Sequence, residues 1–401
     1  MSTGARSGES QSLAPLRMTV TVAIALGCLA CGRPDHALPH GDSANTAPAV
    51  LAVDTVASGL EVPWALAFTP NGRLLVTERV GRIRVIENGV LREEPWASLD
   101  ATARGEAGLM GIAVAPDFAT SREVFVVGTF AAGGDLTNRV IRFREREGRG
   151  VDPAVVLDGI PAAMFHAGDA IAFGPDGVLY VATGDARDPG SAQNDRSLAG
   201  KILRMRRDGT VPADNPTPGS LVYARGVRNP QGLAWDPATR QAFASDHGPS
   251  GFPNEYFRRD GDELNAISPG ANLGWPRASG VTSGSRFTSP LVEWSNPGIA
   301  PAGIAVYAGP YAPWSGSVFV AALKGEQLRR VTVSPDSSPA STARSGWRAV
   351  SDEPLFAGTF GRLRAVAMGT DGMVYFTTSN RDGRGEPRSG DDRVLRIRVN
   401  R

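Results

Sequence analysis

Two side-chain types that can do acid–base or electrostatic chemistry are rare in this sequence. Of its 42 basic residues only Lys201 and Lys324 are lysines, and of its four histidines only His166 and His247 lie beyond residue 50. His166 stands directly before an apolar segment, and histidine is the side chain best suited to accept a proton near neutral pH. We therefore interpret His166 as a candidate general base, with a purely structural histidine as the alternative.

Cationic side chains flank other apolar segments. Lys324 follows one of them, where a compact ammonium could bind a carbonyl or carboxylate, whereas Lys201 begins another and is expected to be solvated. Arg362 and Arg364 precede the last repeat, and two arginines on one edge suit an anion with several carboxylates. For each residue the alternative is an ordinary surface charge.

Two further groups of polar residues lie close to apolar segments. Arg228 and Asn229 precede one segment, and their alternative role is to bond neighbouring loops. Asp246, Asp262 and Glu263 cluster with turn residues, and hard oxygen ligands of this kind are those that Ca²⁺ prefers. The spacing is not that of an EF-hand loop, and ordinary turns are the alternative.

A recurring phrase predicts the elements that must position these residues. A short apolar strand, a turn rich in Pro, Asp, Asn or Gly, and a second apolar strand occur in six copies, which begin near Trp64, Gly111, Ala170, Gly232, Ala302 and Arg364. Each copy is a hairpin signal, and hairpins repeated along a chain indicate a β-propeller. We predict an all-β, six-bladed propeller over residues 49–401, whose axial funnel collects the candidate residues. Val53–Ala57 is expected to complete the last blade by pairing with the C-terminal strand.

The beginning of the chain differs in kind from the rest. In residues 1–31, arginines precede an apolar run of signal-peptide length that ends at Cys28 and Cys31. This pattern predicts export with a lipid anchor at Cys28, or at Cys31, and a cleaved secretory signal is the alternative. Residues 32–48 have the composition of a flexible tether. No cysteine follows Cys31, which excludes a disulfide framework, a thiolate metal site and a cysteine nucleophile beyond it.

The overall charge argues against one class of partner. The formal net charge is +1 among 401 residues, and the sequence has no basic block. It therefore carries no electrostatic footprint for nucleic acid. A membrane is expected as a partner only through the N-terminal anchor.

Several phrases, in one order, resemble the soluble quinoprotein glucose/sorbosone dehydrogenase family, which includes the aldose sugar dehydrogenases. The strongest are Gly105-Glu-Ala-Gly-Leu-Met-Gly, Tyr223-Ala-Arg-Gly-Val-Arg-Asn-Pro-Gln-Gly-Leu, Asp262-Glu-Leu-Asn through Asn272-Leu-Gly-Trp-Pro, Ala322-Leu-Lys-Gly and Gly361-Arg-Leu-Arg. The resemblance spans about residues 53–399. It implies a six-bladed propeller that binds pyrroloquinoline quinone (PQQ) and Ca²⁺, oxidises a sugar or related hydroxyl compound, and passes electrons to an external acceptor.

The resemblance also implies residue roles. His166 would remove the hydroxyl proton as hydride passes to PQQ, and Arg228 with Asn229 would stabilise charge developing on the quinone. Lys324, Arg362 and Arg364 would bind PQQ. Backbone carbonyls of Gly248 and Pro249 would bind Ca²⁺, with Asp246, Asp262 and Glu263 as nearby carboxylates.

The sequence departs from the family pattern at three places, one of them Asp169-Ala170, which replaces the usual Gly-Arg pair after His166. Glu106 stands near the expected substrate hydroxyl where characterised members commonly have Gln, and Leu273 stands where Tyr is usual. Two rival functions therefore stay open: a Ca²⁺-dependent propeller hydrolase of the lactonase kind, and a carbohydrate-binding propeller without catalysis. The cationic set Lys324, Arg362 and Arg364 favours a polyanionic cofactor over the hydrolase.

Overall fold

The computed structural model describes residues 20–22, 50–249, 261–281, 286–336 and 345–400. Their strands form six antiparallel sheets, and the innermost strands of all six line one axial cavity of about 370 Å³. The architecture is the predicted six-bladed β-propeller.

The first two described strands, β1 (Val20–Val22) and β2 (Val50–Ala57), belong to the last blade in the ring. The next three blades each start at the axis and run outward. The first contains β3 (Pro63–Phe68), β4 (Leu74–Glu78), β5 (Arg82–Glu87), β6 (Val90–Leu91) and β7 (Ala97–Ser98). The second contains β8 (Leu109–Val114), β9 (Glu123–Ala132), β10 (Asp135–Arg146) and β11 (Arg149–Pro161). The third contains β12 (Gly168–Phe173), β13 (Leu179–Thr183), β14 (Lys201–Met205) and β15 (Val222–Arg225).

The remaining blades repeat this order. The fourth contains β16 (Pro230–Trp235), β17 (Ala242–Asp246), β18 (Asp262–Ile267) and β19 (Val292–Trp294). The fifth contains β20 (Pro301–Val306), β21 (Ser317–Ala322), β22 (Gln327–Pro335) and β23 (Trp347–Leu355). The sixth contains β24 (Leu363–Met368), β25 (Val374–Thr378) and β26 (Val394–Asn400), followed outward by β2 and β1. Helical structure in the described residues is limited to α1 (Phe118–Ser121) and short 3₁₀ turns at Pro189–Gln193 and Ala312–Trp314.

The repeated turn forms because its aspartate binds both the backbone and a neighbouring aromatic side chain. Asp176 accepts hydrogen bonds from the Val178 backbone N–H at 3.1 Å and from the Tyr180 hydroxyl at 2.9 Å. Asp371 makes the equivalent pair three blades later, with the Tyr375 hydroxyl at 2.8 Å. The same short sequence therefore closes the same hairpin at two places in the ring.

The N-terminal strand closes the ring, as predicted. β2 pairs with β26 in an antiparallel register that sets Leu51 opposite Val399 and Val53 opposite Ile397. Leu51 and Val53 are buried in the core of the last blade. The closure joins strands from opposite ends of the described domain.

The expectation that Lys201 is solvated was wrong. Its side chain is fully buried, and Nζ donates hydrogen bonds to the backbone carbonyls of Ser191 (2.7 Å), Ala192 (3.2 Å) and Ala199 (2.7 Å). The physical reason is the segment 189–200, which folds back over the start of β14 and supplies these acceptors.

The proposed signal peptide and tether lie outside the described residues, except for β1, which pairs with β2. Within the part of the chain that the structure describes, no helix is long and apolar enough to cross a membrane.

Candidate active site

The candidate residues meet where the inner strands begin and the second strands of the blades end. A cavity of about 310 Å³ opens there, at the end of the axis from which the inner strands start. Most of the residues predicted from sequence line it, namely Glu106, His166, Arg228, Asn229, Gly248, Asp262, Lys324 and Arg362. Phe165, His247 and Arg384 are further lining residues.

His166 is oriented by a buried carboxylate. Its Nδ1 lies 2.8 Å from Asp185 Oδ1, and the Asp185 side chain is fully buried. The opposite Asp185 oxygen accepts a hydrogen bond of 2.8 Å from the indole N–H of Trp275. A carboxylate accepts a hydrogen bond from Nδ1–H, which leaves Nε2 as the ring nitrogen that can take up another proton.

Glu106 ties three loops together at the cavity wall. Its Oε2 accepts hydrogen bonds from the His166 backbone N–H (3.1 Å) and the Asn229 side-chain amide (3.0 Å), and its Oε1 lies 3.3 Å from Arg384. Burial raises the pKa of Glu106, but its interactions with His247, His166 and the Arg384 guanidinium, together with the hydrogen bond from the His166 backbone, outweigh burial, so the pKa lies below its ordinary value. Glu106 is therefore a carboxylate at neutral pH.

Arg228 and Asn229 are fixed by one aspartate at the end of β17. Asp246 accepts hydrogen bonds from the backbone N–H of Arg228 (2.9 Å) and of Asn229 (2.7 Å). The Arg228 guanidinium donates to the His247 carbonyl at 3.1 Å and lies over the Trp275 ring at 5.6 Å. These contacts hold a buried cation at the cavity wall.

Arg362 and Arg364 share one internal counterion. Arg362 donates two hydrogen bonds of 3.0 and 2.8 Å to Asp382 Oδ2, and Arg364 Nη2 lies 3.3 Å from the same oxygen. Burial raises the pKa of Asp382, but the two guanidinium charges dominate and lower it. Arg362 lines the cavity, whereas Arg364 packs on the Trp64 ring at 3.7 Å. Lys324 is an exposed residue on the cavity wall, just past the end of β21.

The carboxylates proposed for calcium are already bonded to backbone groups. Asp262 accepts hydrogen bonds from the backbone N–H of Gly248 (2.9 Å) and of Ala300 (2.7 Å). Glu263 accepts hydrogen bonds from Gly280 and Asn265, and burial raises its pKa to about 7. Burial, reinforced by Glu263, raises the pKa of Asp246 well above its ordinary value. Among the described residues no group of three His, Cys, Asp or Glu side chains could hold a metal.

His247 has an unsatisfied polar atom beside this cavity. The side chain is buried and its Nε2 has no hydrogen-bond partner among the described residues. Burial lowers the pKa of His247 to about 4. His247 is therefore a neutral imidazole at neutral pH, and its Nε2 is buried.

Sequence reasoning missed Asp185, Trp275, Asp382 and Arg384 as members of the site. One signal could have found Asp185 and Asp382. Each lies shortly after the second strand of a blade, close to the place that Asp246 takes at the end of the second strand of the fourth blade. Trp275 and Arg384 lie in long loops, where no period marks them.

The structure is thus a six-bladed propeller with a His–Asp pair at a cavity that several cationic side chains line. The profile of the family described as Glucose / Sorbosone dehydrogenase matches residues 60–388. The chain belongs to this glucose/sorbosone dehydrogenase family, as its sequence phrases had indicated.

Proteins of known structure and sequence support this assignment. The fold is similar to an oxidoreductase of Thermus thermophilus described as a glucose dehydrogenase, with 45% identity, a TM-score of 0.76, and coverage of 87% of this chain and 100% of that one. It is also similar to the PQQ-bound form of the aldose sugar dehydrogenase of Streptomyces coelicolor, with 39% identity, a TM-score of 0.74, and coverage of 88% and 99%. An aldose sugar dehydrogenase of Escherichia coli is 29% identical over 84% of this chain and 92% of its own length.

Proposed function

We propose that this protein is a PQQ-dependent dehydrogenase that oxidises a sugar or a related hydroxyl compound. The observation that carries the proposal is the His166–Asp185 pair on the wall of a cavity that Arg228, Lys324 and Arg362 also line. A relative with PQQ bound has the same fold. The pair supplies a positioned base, and the cations suit an anionic cofactor.

The cavity fits PQQ in charge and in hydrogen-bonding capacity. PQQ is a quinone with three carboxylates, and Lys324 and Arg362 on the cavity wall would hold these groups by charge-assisted hydrogen bonds, with the buried charge of Arg364 behind the wall. His247 also lines this cavity. Calcium would be bound through the Gly248 and Pro249 carbonyls, because the oxygens of Asp246, Asp262 and Glu263 already accept hydrogen bonds.

Bound PQQ would supply the two-electron acceptor for the hydride that leaves the substrate carbon. His166 Nε2 accepts the proton of the substrate hydroxyl, and Asp185 holds the ring through Nδ1 and stabilises the positive charge that this transfer creates. The Arg228 guanidinium and the Asn229 amide, both on the cavity wall, would stabilise negative charge that develops on the quinone. Glu106 holds both the His166 loop and the Asn229 side chain, so it keeps the base and this amide in fixed relative positions.

Reconstitution tests this function. The purified protein is titrated with PQQ in the presence and absence of Ca²⁺, with binding followed by absorbance and reduction of an artificial dye followed after adding aldoses. Saturable PQQ binding and aldose-dependent dye reduction are expected. Sugar binding without PQQ binding would instead support the carbohydrate-binding propeller, and lactone hydrolysis with Ca²⁺ alone would support the hydrolase.

The surroundings of the enzyme are part of the same proposal. We propose that the chain is exported and anchored through Cys28 or Cys31, and that the electrons leave to an external acceptor. The support is the apolar run before these cysteines and the tether composition of residues 32–48. Mass spectrometry of the protein from membranes checks the anchor, because a lipidated N-terminal cysteine has a distinct mass.

A further inference from the structure

His166, the proposed general base at the third blade, is connected through Asp185 to a tryptophan of the fourth blade. Trp275 lies in the fourth blade between β18 and β19, and its buried indole N–H donates 2.8 Å to Asp185 Oδ2 at the end of the third blade's second strand. Asp185 Oδ1 binds His166 Nδ1 at 2.8 Å. The carboxylate is therefore clamped between an indole and an imidazole, with one oxygen for each.

The clamp is reinforced on the Asp185 side by the backbone. Its Oδ1 also accepts the Arg187 N–H at 2.8 Å, and the Asp185 backbone N–H donates to the Arg228 carbonyl at 2.8 Å. A buried carboxylate with fixed donors on both oxygens has little freedom to rotate. Its lone pair therefore meets Nδ1 in one direction, and this favours the tautomer that carries the proton on Nδ1.

Trp275 is itself held by a side chain from the third blade. Gln193 Nε2 donates to the Trp275 carbonyl at 2.6 Å, and Gln193 and Asn272 exchange two side-chain hydrogen bonds of 2.9 Å. Gln193 ends the 3₁₀ turn whose carbonyls bind the buried ammonium of Lys201. A continuous set of contacts thus runs from Lys201 to the base.

We propose that Trp275 is a positioning residue that fixes, through Asp185, the tautomer and orientation of His166, and that Gln193 and Lys201 keep Trp275 in place. The effect of Trp275 on kcat rests on the proposed function, whereas its effect on the His166 tautomer does not. In the apoprotein His166 carries its proton on Nδ1 and keeps Nε2 free of one.

The test is ¹⁵N NMR of histidine-labelled apoprotein, which reports which ring nitrogen carries the proton. The chain has four histidines, so the His166 signals are assigned by their loss in His166→Gln. The expected wild-type spectrum shows Nδ1–H at His166. Trp275→Phe keeps an aromatic face against Arg228 but removes the indole donor, and it should show a mixture of the two His166 tautomers.

A matched control is available in the same blade. Trp294 also donates its indole N–H to a carboxylate, Asp352, at 2.8 Å, and it does not line the cavity. Trp294→Phe should leave the His166 tautomer unchanged. If PQQ activity is reconstituted, Trp275→Phe should lower kcat about 10- to 100-fold with an unchanged Kd for PQQ.

Two results would overturn the proposal. The first is an Nε2-protonated His166 in the wild-type protein, which needs no variant to fold. The second is a wild-type His166 tautomer in folded Trp275→Phe. Failure of PQQ to bind would instead contradict the proposed function. The NMR test of Trp275 would still be valid, because it uses the apoprotein.

Discussion

The backbone at His166 adopts a conformation that few residues other than glycine occupy. Its φ is 59°, and its carbonyl accepts a hydrogen bond from the Ala186 N–H. A Cβ on Gly184 would clash with this carbonyl oxygen, so only glycine allows the two loops to approach. Strained backbone of this kind persists when its surroundings determine it, and here it places the imidazole beside Asp185.

Removing the proposed base, His166, should lower turnover strongly without preventing cofactor binding. His166→Gln keeps a polar side chain of similar size but has no group that accepts a proton at neutral pH. We expect kcat to fall on the order of 10²- to 10⁴-fold at full PQQ and Ca²⁺ loading. Steady-state dye reduction and PQQ titration of the same preparation check this, and a near-wild-type kcat would assign His166 a structural role.

The cations at the cavity should differ in what they contribute. Lys324 is exposed, so Lys324→Met should weaken PQQ binding by about 1.5–3 kcal/mol, or one to two decades in Kd, at unchanged thermal stability. Arg364 is buried against Trp64 and Asp382, so Arg364→Met should also lower the melting temperature. PQQ titration and thermal melts of both variants measure the contrast. Wild-type PQQ affinity in Lys324→Met would contradict the assigned role of this residue.

At the scale of elements, the segment 189–200 buries the Lys201 ammonium, and this burial makes the free energy of unfolding depend on pH. Burial lowers the pKa of Lys201 to about 8 from an ordinary 10.5. The folded protein therefore loses this proton at lower pH than the unfolded chain does. Between pH 8 and 10.5 the unfolded state binds more protons, so the free energy of unfolding rises with pH across this window.

This linkage can be isolated by comparison with Lys201→Met. Since one pKa unit is about 1.4 kcal/mol, the wild-type free energy of unfolding should rise by up to roughly 3 kcal/mol relative to the variant between pH 8 and 10.5. Urea unfolding of both proteins at several pH values measures it. A constant difference would show that Lys201 keeps its proton throughout the window.

The repeat predicted most of the strands because their turns carry their own chemistry. Asp176 and Asp371 bind groups within four residues, so the hairpins can be recognised locally. The His166–Asp185–Trp275 contacts join loops of different blades, and Asp185 is one of 41 acidic residues. No local pattern distinguishes such a partner from a turn residue.

The Lys201 error has the same origin. A lysine at the start of a strand is usually at the surface, and the carbonyls that surround it come from an irregular segment without periodicity. By contrast, His166, Arg228, Asn229 and Lys324 could be selected because they precede the first strand or follow the second strand of a blade, and these strand ends lie at the cavity. The side chains that hold these residues in place could be identified only from the structure, where loops of different blades pack together.

At the scale of the whole molecule, the ring should depend on β2. Leu51 is 7% exposed and packs in the core of the last blade, so Leu51→Ala should lower the free energy of unfolding by about 2–5 kcal/mol. Val50, in the same strand, is 38% exposed, and Val50→Ala should change the free energy of unfolding by no more than about 0.5 kcal/mol. Urea denaturation compares the two. Equal effects would mean that β2 is not required for closure.

The closing strand also imposes an order on synthesis. Asp54 in β2 and its partner Arg396 in β26 are 342 positions apart. At about 5–20 residues per second, β2 is made on the order of 20 to 70 seconds before its partner. During that time the edge of β2 that later pairs with β26 has no partner, and a chain that stops before β26 leaves this edge and the edge of β25 open to pairing with other chains. Chains that end early are therefore expected to aggregate. A chaperone that binds extended apolar segments would act on β2 before it acts on the strands that are made later.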